Sequence, residues 1–258
     1  MTGPEQPPSR RRGIVAGFAA AVAFFTCVPM AASADGGWRL ADSAWAFPLA
    51  GAGIGAVAAF VFLTAQLIGL GDWAAALLAV LAGIALTGGL HEDGLADTAD
   101  GLAGGRDPAR KLEIMRDSRL GTFGVLALVL SVGLRAAALV AMGEAIYAGL
   151  ALVAAHAASR ALVAAAMWAL PPARRDGQGF AAGRPRLVPM TAAILIAVAI
   201  GLAALGPVRG AGALGLAAAA ACAVALLARR QIGGQTGDVL GAVQQVAEIV
   251  ILLAASAR

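Results

Sequence analysis

The chain has 258 residues, of which 60% are apolar and only 13% charged, and its mean hydropathy is +0.82. So little polar side chain cannot cover a water-exposed globule of this size, which excludes an ordinary soluble domain and leaves lipid as the solvent of its exterior. The net charge of +4 comes from eighteen Arg and one Lys placed between long apolar runs, a pattern that fits membrane loops and argues against a nucleic-acid partner.

Residues 1–12 are polar and Pro-rich and read as a disordered tail; residues 13–258 read as a single transmembrane catalytic domain. Arg10, Arg11 and Arg12 precede the apolar run 13–28, and Ala32-Ser33-Ala34 resembles a signal-peptidase site. The topology below favours an uncleaved helix over 13–29, about 17 residues long and at the short limit for a span. Residues 30–43 follow as a polar loop. Spanning helices are expected at about 45–70, 74–90, 122–143, 145–170, 187–206, 211–228 and 238–257, each long enough to cross the ~30 Å hydrocarbon core. The connections at Gly71-Asp72, Gly143-Glu144 and 206–210 are short, whereas 91–121, 171–186 and 229–237 are longer and charged. Cys27 and Cys222 sit far apart in apolar stretches and read as buried small hydrophobes rather than a disulfide. The expected fold class is all-α: a polytopic membrane protein of about seven transmembrane helices plus an N-terminal re-entrant or interfacial helix.

Charge sets the orientation. If 91–121 is cytoplasmic, counting helices outward makes 1–44, 171–186 and 229–237 cytoplasmic too, and these segments hold fifteen of the nineteen Lys and Arg. The opposite side keeps Arg209 and Arg258, while Arg135 and Arg160 fall inside helices. By the positive-inside rule this is a bacterial inner-membrane topology with the 91–121 loop in the cytoplasm. It requires 13–29 to begin and end on one side. Arg135 and Arg160, deep in the bilayer, should face an acidic partner or a polar cavity, and at least one should line the substrate cavity.

The segment from Gly88 to Gly101 carries the chemistry. Asp93, Asp97 and Asp100 are spaced i, i+4, i+7 and share one helix face if the second spanning helix continues. Carboxylates this close repel unless a cation neutralises them, and hard oxygen ligands suit Mg²⁺, Mn²⁺ or Ca²⁺, with Mg²⁺ commonly shared with a phosphate. Glu92 is a second-choice ligand, about 100° off that face. At the C-terminal end of a membrane helix, acidic residues would oppose the dipole, which favours a metal site over a plain acidic helix end. His91 is a ligand, a base or an interface histidine. Arg106, Lys111, Arg116 and Arg119 follow, with Asp117 among them, as candidate phosphate partners. The Gly-rich stretch 233–237 leads to Asp238, which is either part of an anion-binding turn or an N-cap.

The blocks 88–101, Leu112 to Gly121 and Thr236 to Gly241, with Phe25-Thr26-Cys27-Val28-Pro29, resemble adenosylcobinamide-GDP ribazoletransferases, the cobalamin synthases. The resemblance implies a Mg²⁺-dependent transferase whose substrates are adenosylcobinamide-GDP and α-ribazole or α-ribazole 5′-phosphate. A ribose hydroxyl attacks the cobinamide-linked phosphorus and GMP leaves. It implies Asp93, Asp97, Asp100 and His91 as catalytic residues, with the carboxylates of Asp93, Asp97, Asp100 and Glu92 as metal ligands. Substrate binding would fall to Arg106, Lys111, Arg116, Asp117, Arg119 and Asp238. Two other readings compete. A CDP-alcohol phosphotransferase would share parts of the Asp pattern but in reversed order. A cation transporter would use Arg135, Arg160, His156 and Glu248 as intramembrane polar residues, but leaves the polar concentration in one loop unexplained.

Overall fold

The computed structural model describes residues 10–30 and 40–257, and among these the regular structure is helical throughout. In chain order the helices are α1 (Arg10–Phe25), a 3-10 segment (Leu40–Ala46) running into α2 (Phe47–Leu67), α3 (Asp72–Thr87), α4 (Leu90–Gly104), α5 (Pro108–Ile114), α6 (Thr122–Met142), α7 (Ala145–Ala169), α8 (Gly177–Ala182), α9 (Leu187–Leu205), α10 (Pro207–Ile232) and α11 (Gly237–Ser256). The signal-peptidase-like triplet and most of the 1–12 tail lie outside the described residues.

Six helices are long and apolar enough to cross a bilayer: Leu40–Leu67, α6, α7, α9, α10 and α11. Counting the bent pair α3 and α4, turned by 92°, as one span brings the number to seven. The span expected at 74–90 is therefore α3 alone, and the chain turns sharply at Gly88-Gly89 instead of continuing. Helix α4 lies near a right angle to α3. The N-terminal helix stops at Phe25, four residues before Pro29, and its apolar part, Gly13–Phe25, is too short to span. It packs against the 3-10 segment and α2, as an interfacial or re-entrant element would.

The core is built on α7 and α11, whose apolar stretches are 78% and 67% buried, while α6, α9 and α10 fall between 17% and 28% and form the outer layer. Val129, Leu195 and Leu216 are exposed there, as are Phe60 on α2 and Leu81 on α3, as a lipid-facing surface requires. Lipid tails are as apolar as Leu, so helices associate by close packing of small residues. On α2 this is done by Gly51 and Gly55: a Cβ on Gly55 would lie 2.6 Å from the carbonyl oxygen of Leu152, and one on Gly51 would collide with that of His156. The cysteines depart from expectation. Both are unpaired, and both are exposed rather than buried.

The intramembrane polar residues form one network. Arg135 donates from Nη1 to Glu248 Oε1 and from Nη2 to Glu92 Oε1, both at 3.1 Å. Gln245 Nε2 donates to the same Glu92 oxygen at 3.0 Å, and Gln244 Nε2 to Glu248 Oε2 at 2.6 Å. His156 Nδ1 lies 3.1 Å from Glu248 Oε2, and the Arg160 guanidinium sits over the Phe25 ring at 5.4 Å. The acidic partners expected for Arg135 are thus present and neither Arg faces lipid. The further expectation, that one would line the substrate cavity, does not hold: neither is among the residues lining the two cavities beside the acidic motif. Four of the residues a transporter would use are bound to one another instead of flanking a passage.

The α2–α7 packing makes a local test. Gly51→Ala should destabilise the detergent-solubilised protein by about 2 kcal/mol or more through overpacking, whereas Gly53→Ala, midway between the two contact glycines with open space around it, should be neutral or slightly stabilising. Thermal unfolding of the two variants checks this. Equal behaviour would mean that α2 and α7 are not in this close contact.

Candidate active site

The site begins at the elbow between α3 and α4. Gly88 and Gly89 adopt φ of +63° and +71°, a left-handed pair that only glycine accommodates without strain. The Cys27 amide donates to Leu86 O at 2.9 Å, and a Cβ on Gly88 would lie 2.7 Å from Cys27 Sγ. The N-terminal segment thus packs on the elbow. Because α4 is a new helix, Glu92 and Asp93 occupy its first turn, where the dipole favours anions. This corrects the sequence expectation: the acidic residues are not at an unfavourable helix end, and the dipole no longer argues for a metal.

The four acidic residues go to different places. Glu92 points into the membrane interior, to Arg135 and Gln245. Asp100 is buried against the start of α6, accepting from the amides of Gly121 at 2.7 Å and Gly124 at 2.9 Å. It satisfies two of the orphan donors of that helix. Both glycines are needed, because a Cβ on either would collide with the Asp100 carboxylate. The ligand role suggested for Asp100 therefore meets a structural obstacle, because both its oxygens are engaged, whereas Glu92 uses only Oε1 and keeps a buried Oε2 without a partner. Among the described residues no group of three or more His, Cys, Asp or Glu side chains is arranged to hold a metal ion.

Asp93 and Asp97 remain free, and α11 brings Asp238 to them. Helices α4 and α11 cross at Gly94 and Gly241, where a Cβ on Gly94 would lie 2.9 Å from Asp238 O and one on Gly241 would lie 3.1 Å from Gly94 Cα. The N-cap of α11 is Thr236, whose Oγ1 accepts from the Val239 amide, so Asp238 is not the cap. Its carboxylate accepts from Thr236 Oγ1 at 3.1 Å and lies 3.3 Å from Arg174 Nη2. Partial burial, then the charges of Asp93, Asp238 and Asp100, raise the Asp97 carboxyl to about 7, and Arg174 offsets only part of this. Such an undercompensated pair suits Mg²⁺, which takes one or two carboxylates and shares its remaining positions with phosphate and water. Asp93 and Asp97 fit that role; a closed cage of protein ligands does not.

Two cavities adjoin the motif. A broad cleft of about 890 Å³ is lined by Cys27, Gly88, Glu92, Asp93 and Leu120 among others. A more enclosed cavity of about 300 Å³ is lined by Phe25, His91, Asp93, Arg174 and Asp238 among others. Phe24, Leu90, Asp93, Gln178 and Ala182 belong to both and form the wall between them. His91 is buried, stacks on Phe25 at 5.7 Å, and its Nε2 has no hydrogen-bond partner.

None of the basic residues singled out from sequence lines either cavity. Lys111 Nζ donates to Leu102 O at 2.8 Å and to Gln231, tying α5 to α4 and α10. Arg119 is 87% exposed and binds Asp117 in a fork, which holds the Asp117 carboxyl down to about 2. Arg106 is on the surface. Arg116 pairs with Asp176 at 2.6 Å, and Asp176 also pairs with Arg174, so Arg116 reaches only the rim. The residue sequence reasoning missed is Arg174. In the sequence it is one more positive charge in a loop. It becomes part of the site because residues 171–173 pair with 233–235, through Ala173 N to Gln235 O and Gln235 N to Pro171 O, both at 2.8 Å.

Asp97 supplies a pH test. Its folded pKa lies above the ordinary value near 3.8, so the folded state holds the proton longer, and the charge penalises folding increasingly between about pH 4 and 7 and fully above. Asp97→Asn should therefore raise the melting temperature at pH 8 without divalent cations, with the gain shrinking toward pH 4. Half exposure keeps the effect modest. A gain that is the same at pH 4 and pH 8 would show that the carboxyl is not strained.

Comparison with known proteins agrees with this architecture over nearly the whole chain. The family model for cobalamin-5-phosphate synthase matches residues 17–256. Proteins named adenosylcobinamide-GDP ribazoletransferase are similar: that of Bradyrhizobium diazoefficiens is 49% identical over 95% of this chain and 95% of its own length, and that of Mesorhizobium japonicum 46% over 95% and 94%. That of Azorhizobium caulinodans is 44% identical over 95% of this chain and 96% of its own. No solved structure matches significantly. With its seven-helix plan, its elbowed acidic motif and this similarity along its length, the chain belongs to the cobalamin-5-phosphate synthase family.

Proposed function

We propose that this protein is a membrane-embedded transferase that joins adenosylcobinamide-GDP to α-ribazole or its 5′-phosphate, releasing GMP, with Mg²⁺ as cofactor. The observation that carries the reading is the placement of Asp93 in the wall between two cavities. A reaction that joins two organic substrates needs two compartments meeting at one reactive point. The names of the relatives support the same substrates.

Asp93 and Asp97 would hold Mg²⁺ together with the diphosphate, and the ion would draw charge from the attacked phosphorus and stabilise departing GMP. His91, buried and lining the enclosed cavity with Nε2 free, would accept the proton of the attacking ribose hydroxyl. Arg174 offers a guanidinium to phosphate oxygens, and Arg116 supports the rim through Asp176. Asp100 contributes by fixing α4 to α6.

GMP release by the purified protein, given both substrates and Mg²⁺, tests the reading. Asp93→Ala and Asp97→Ala should abolish turnover with the fold intact. Asp100→Ala should lower stability by about 2 kcal/mol or more, since two buried amides lose a charged acceptor, and activity should fall with the fold. Turnover without Mg²⁺, or near-normal turnover in folded Asp97→Ala, would refute the ligand assignment.

The site would face the cytoplasm of the bacterial inner membrane, as the fifteen-to-two division of loop Lys and Arg suggests. Reporter fusions after residues 105, 180 and 233 should report the cytoplasm, and fusions near 72, 144 and 208 the far side. A periplasmic signal at 105 would reverse the topology.

A further inference from the structure

The two cavities differ in size and lining, and this difference assigns the substrates to them. We infer that the enclosed cavity of about 300 Å³ is the acceptor site, taking the flat aromatic base of a nucleoside beside Phe24, Phe25 and Met167 and a 5′-phosphate on Arg174. The inference rests on the transferase reading above and goes beyond it by naming which cavity binds which substrate and which side chain selects the acceptor's form.

Size comes first. Cavities that enclose a small organic ligand measure roughly 300–1,000 Å³, so this one suits a single nucleoside. A corrinoid carrying a nucleoside diphosphate is far larger, and of the two cavities that share Asp93 the broad cleft of about 890 Å³ is the more open to its reacting end. The lining is the second consideration. Phe24 and Phe25 lie edge to face at 4.9 Å, His91 stacks on Phe25, and Met167 from α7 closes the apolar end. Aromatic faces and a thioether are favourable neighbours for a heteroaromatic ring. At the polar end, two side chains carry buried atoms without hydrogen-bond partners: His91 at Nε2, on a residue only 3% exposed, and Arg174 at Nη1 and Nε, the latter 3.3 Å from Asp176 Oδ1 without forming a hydrogen bond. Buried polar atoms in native proteins are rarely left unmatched unless a ligand meets them. Arg174 uses Nη2 on Asp238 and directs Nε to Asp176, which leaves one edge of the guanidinium for a phosphate oxygen. A nucleoside held with its base among the Phe rings and its 5′ end at Arg174 presents its ribose between them, beside His91 and Asp93.

Calorimetric titration of detergent-solubilised protein with α-ribazole and with α-ribazole 5′-phosphate, without activated cobinamide, tests this with no turnover. The wild type should bind both, the phosphorylated form about tenfold tighter. Phe24→Ala, at a half-buried position that leaves the core intact, should weaken both by about tenfold or more, the usual scale for losing one stacking ring. Arg174→Gln should weaken only the phosphorylated form and erase the preference, and Arg174→Lys should restore part of it. Failure of the wild type to bind either compound, unchanged binding in Phe24→Ala, or a preference that survives Arg174→Gln would each overturn the inference. Since binding is read apart from GMP release, a protein that binds acceptors as described yet releases no GMP refutes the proposed transferase activity alone. An active enzyme whose acceptor KM ignores Phe24→Ala refutes the acceptor site alone.

Discussion

Arg135 lies inside the lipid-embedded core with a carboxylate on each side, Glu92 from α4 and Glu248 from α11. An unpaired charge at that depth is costly, so the three groups hold one another, and Gln244, Gln245, Ser131 and His156 extend the network around them. The consequence reaches beyond the core. Glu92 and Asp93 are neighbours on α4, about 100° apart around the helix axis. Once Glu92 is drawn down to Arg135, Asp93 has to point away from the interior, toward the cavities. The buried network therefore sets the rotation of the helix that carries the chemistry.

Two further constraints fix its position. The elbow at Gly88-Gly89 turns α4 out of the membrane normal, and the glycine crossing of Gly94 with Gly241 lets α4 and α11 approach until Asp238 stands beside Asp93 and Asp97. Asp100 then anchors the far end of the motif to α6. One short acidic sequence thus divides its labour: Glu92 and Asp100 hold the helix, Asp93 stands in the wall between the two cavities, and Asp97, one turn further along α4, has no partner among the described residues. The division explains why an acidic motif of this density folds at all. Glu92 and Asp100 find donors within the protein, and Asp93 and Asp97 stay undercompensated.

The same logic orders the basic residues. Surface pairs such as Arg119 with Asp117 and Arg110 with Glu113 are exposed and contribute little to stability. Lys111 stitches α5 to its neighbours. Arg174 differs because its loop is clamped to the turn before α11 by a pair of backbone hydrogen bonds, which carries its guanidinium inward to Asp238.

Composition and hydropathy alone determined the solvent, the all-helical class and the approximate spans, because a bilayer allows few solutions to backbone hydrogen bonding and each span must be long and apolar. The motif blocks pointed to the family, and the i, i+4 spacing of Asp93 and Asp97 survived the elbow because α4 is still a helix. What the sequence could not determine is where each charged side chain is satisfied. The partners of Glu92, Asp100 and Arg174 lie 43, 21 and 64 residues away along the chain, at Arg135, Gly121 and Asp238. Local spacing carries no information about such distant pairs. Only the tertiary packing of α4 against α6 and α11 separates the acidic residues that hold the structure from those left without a partner.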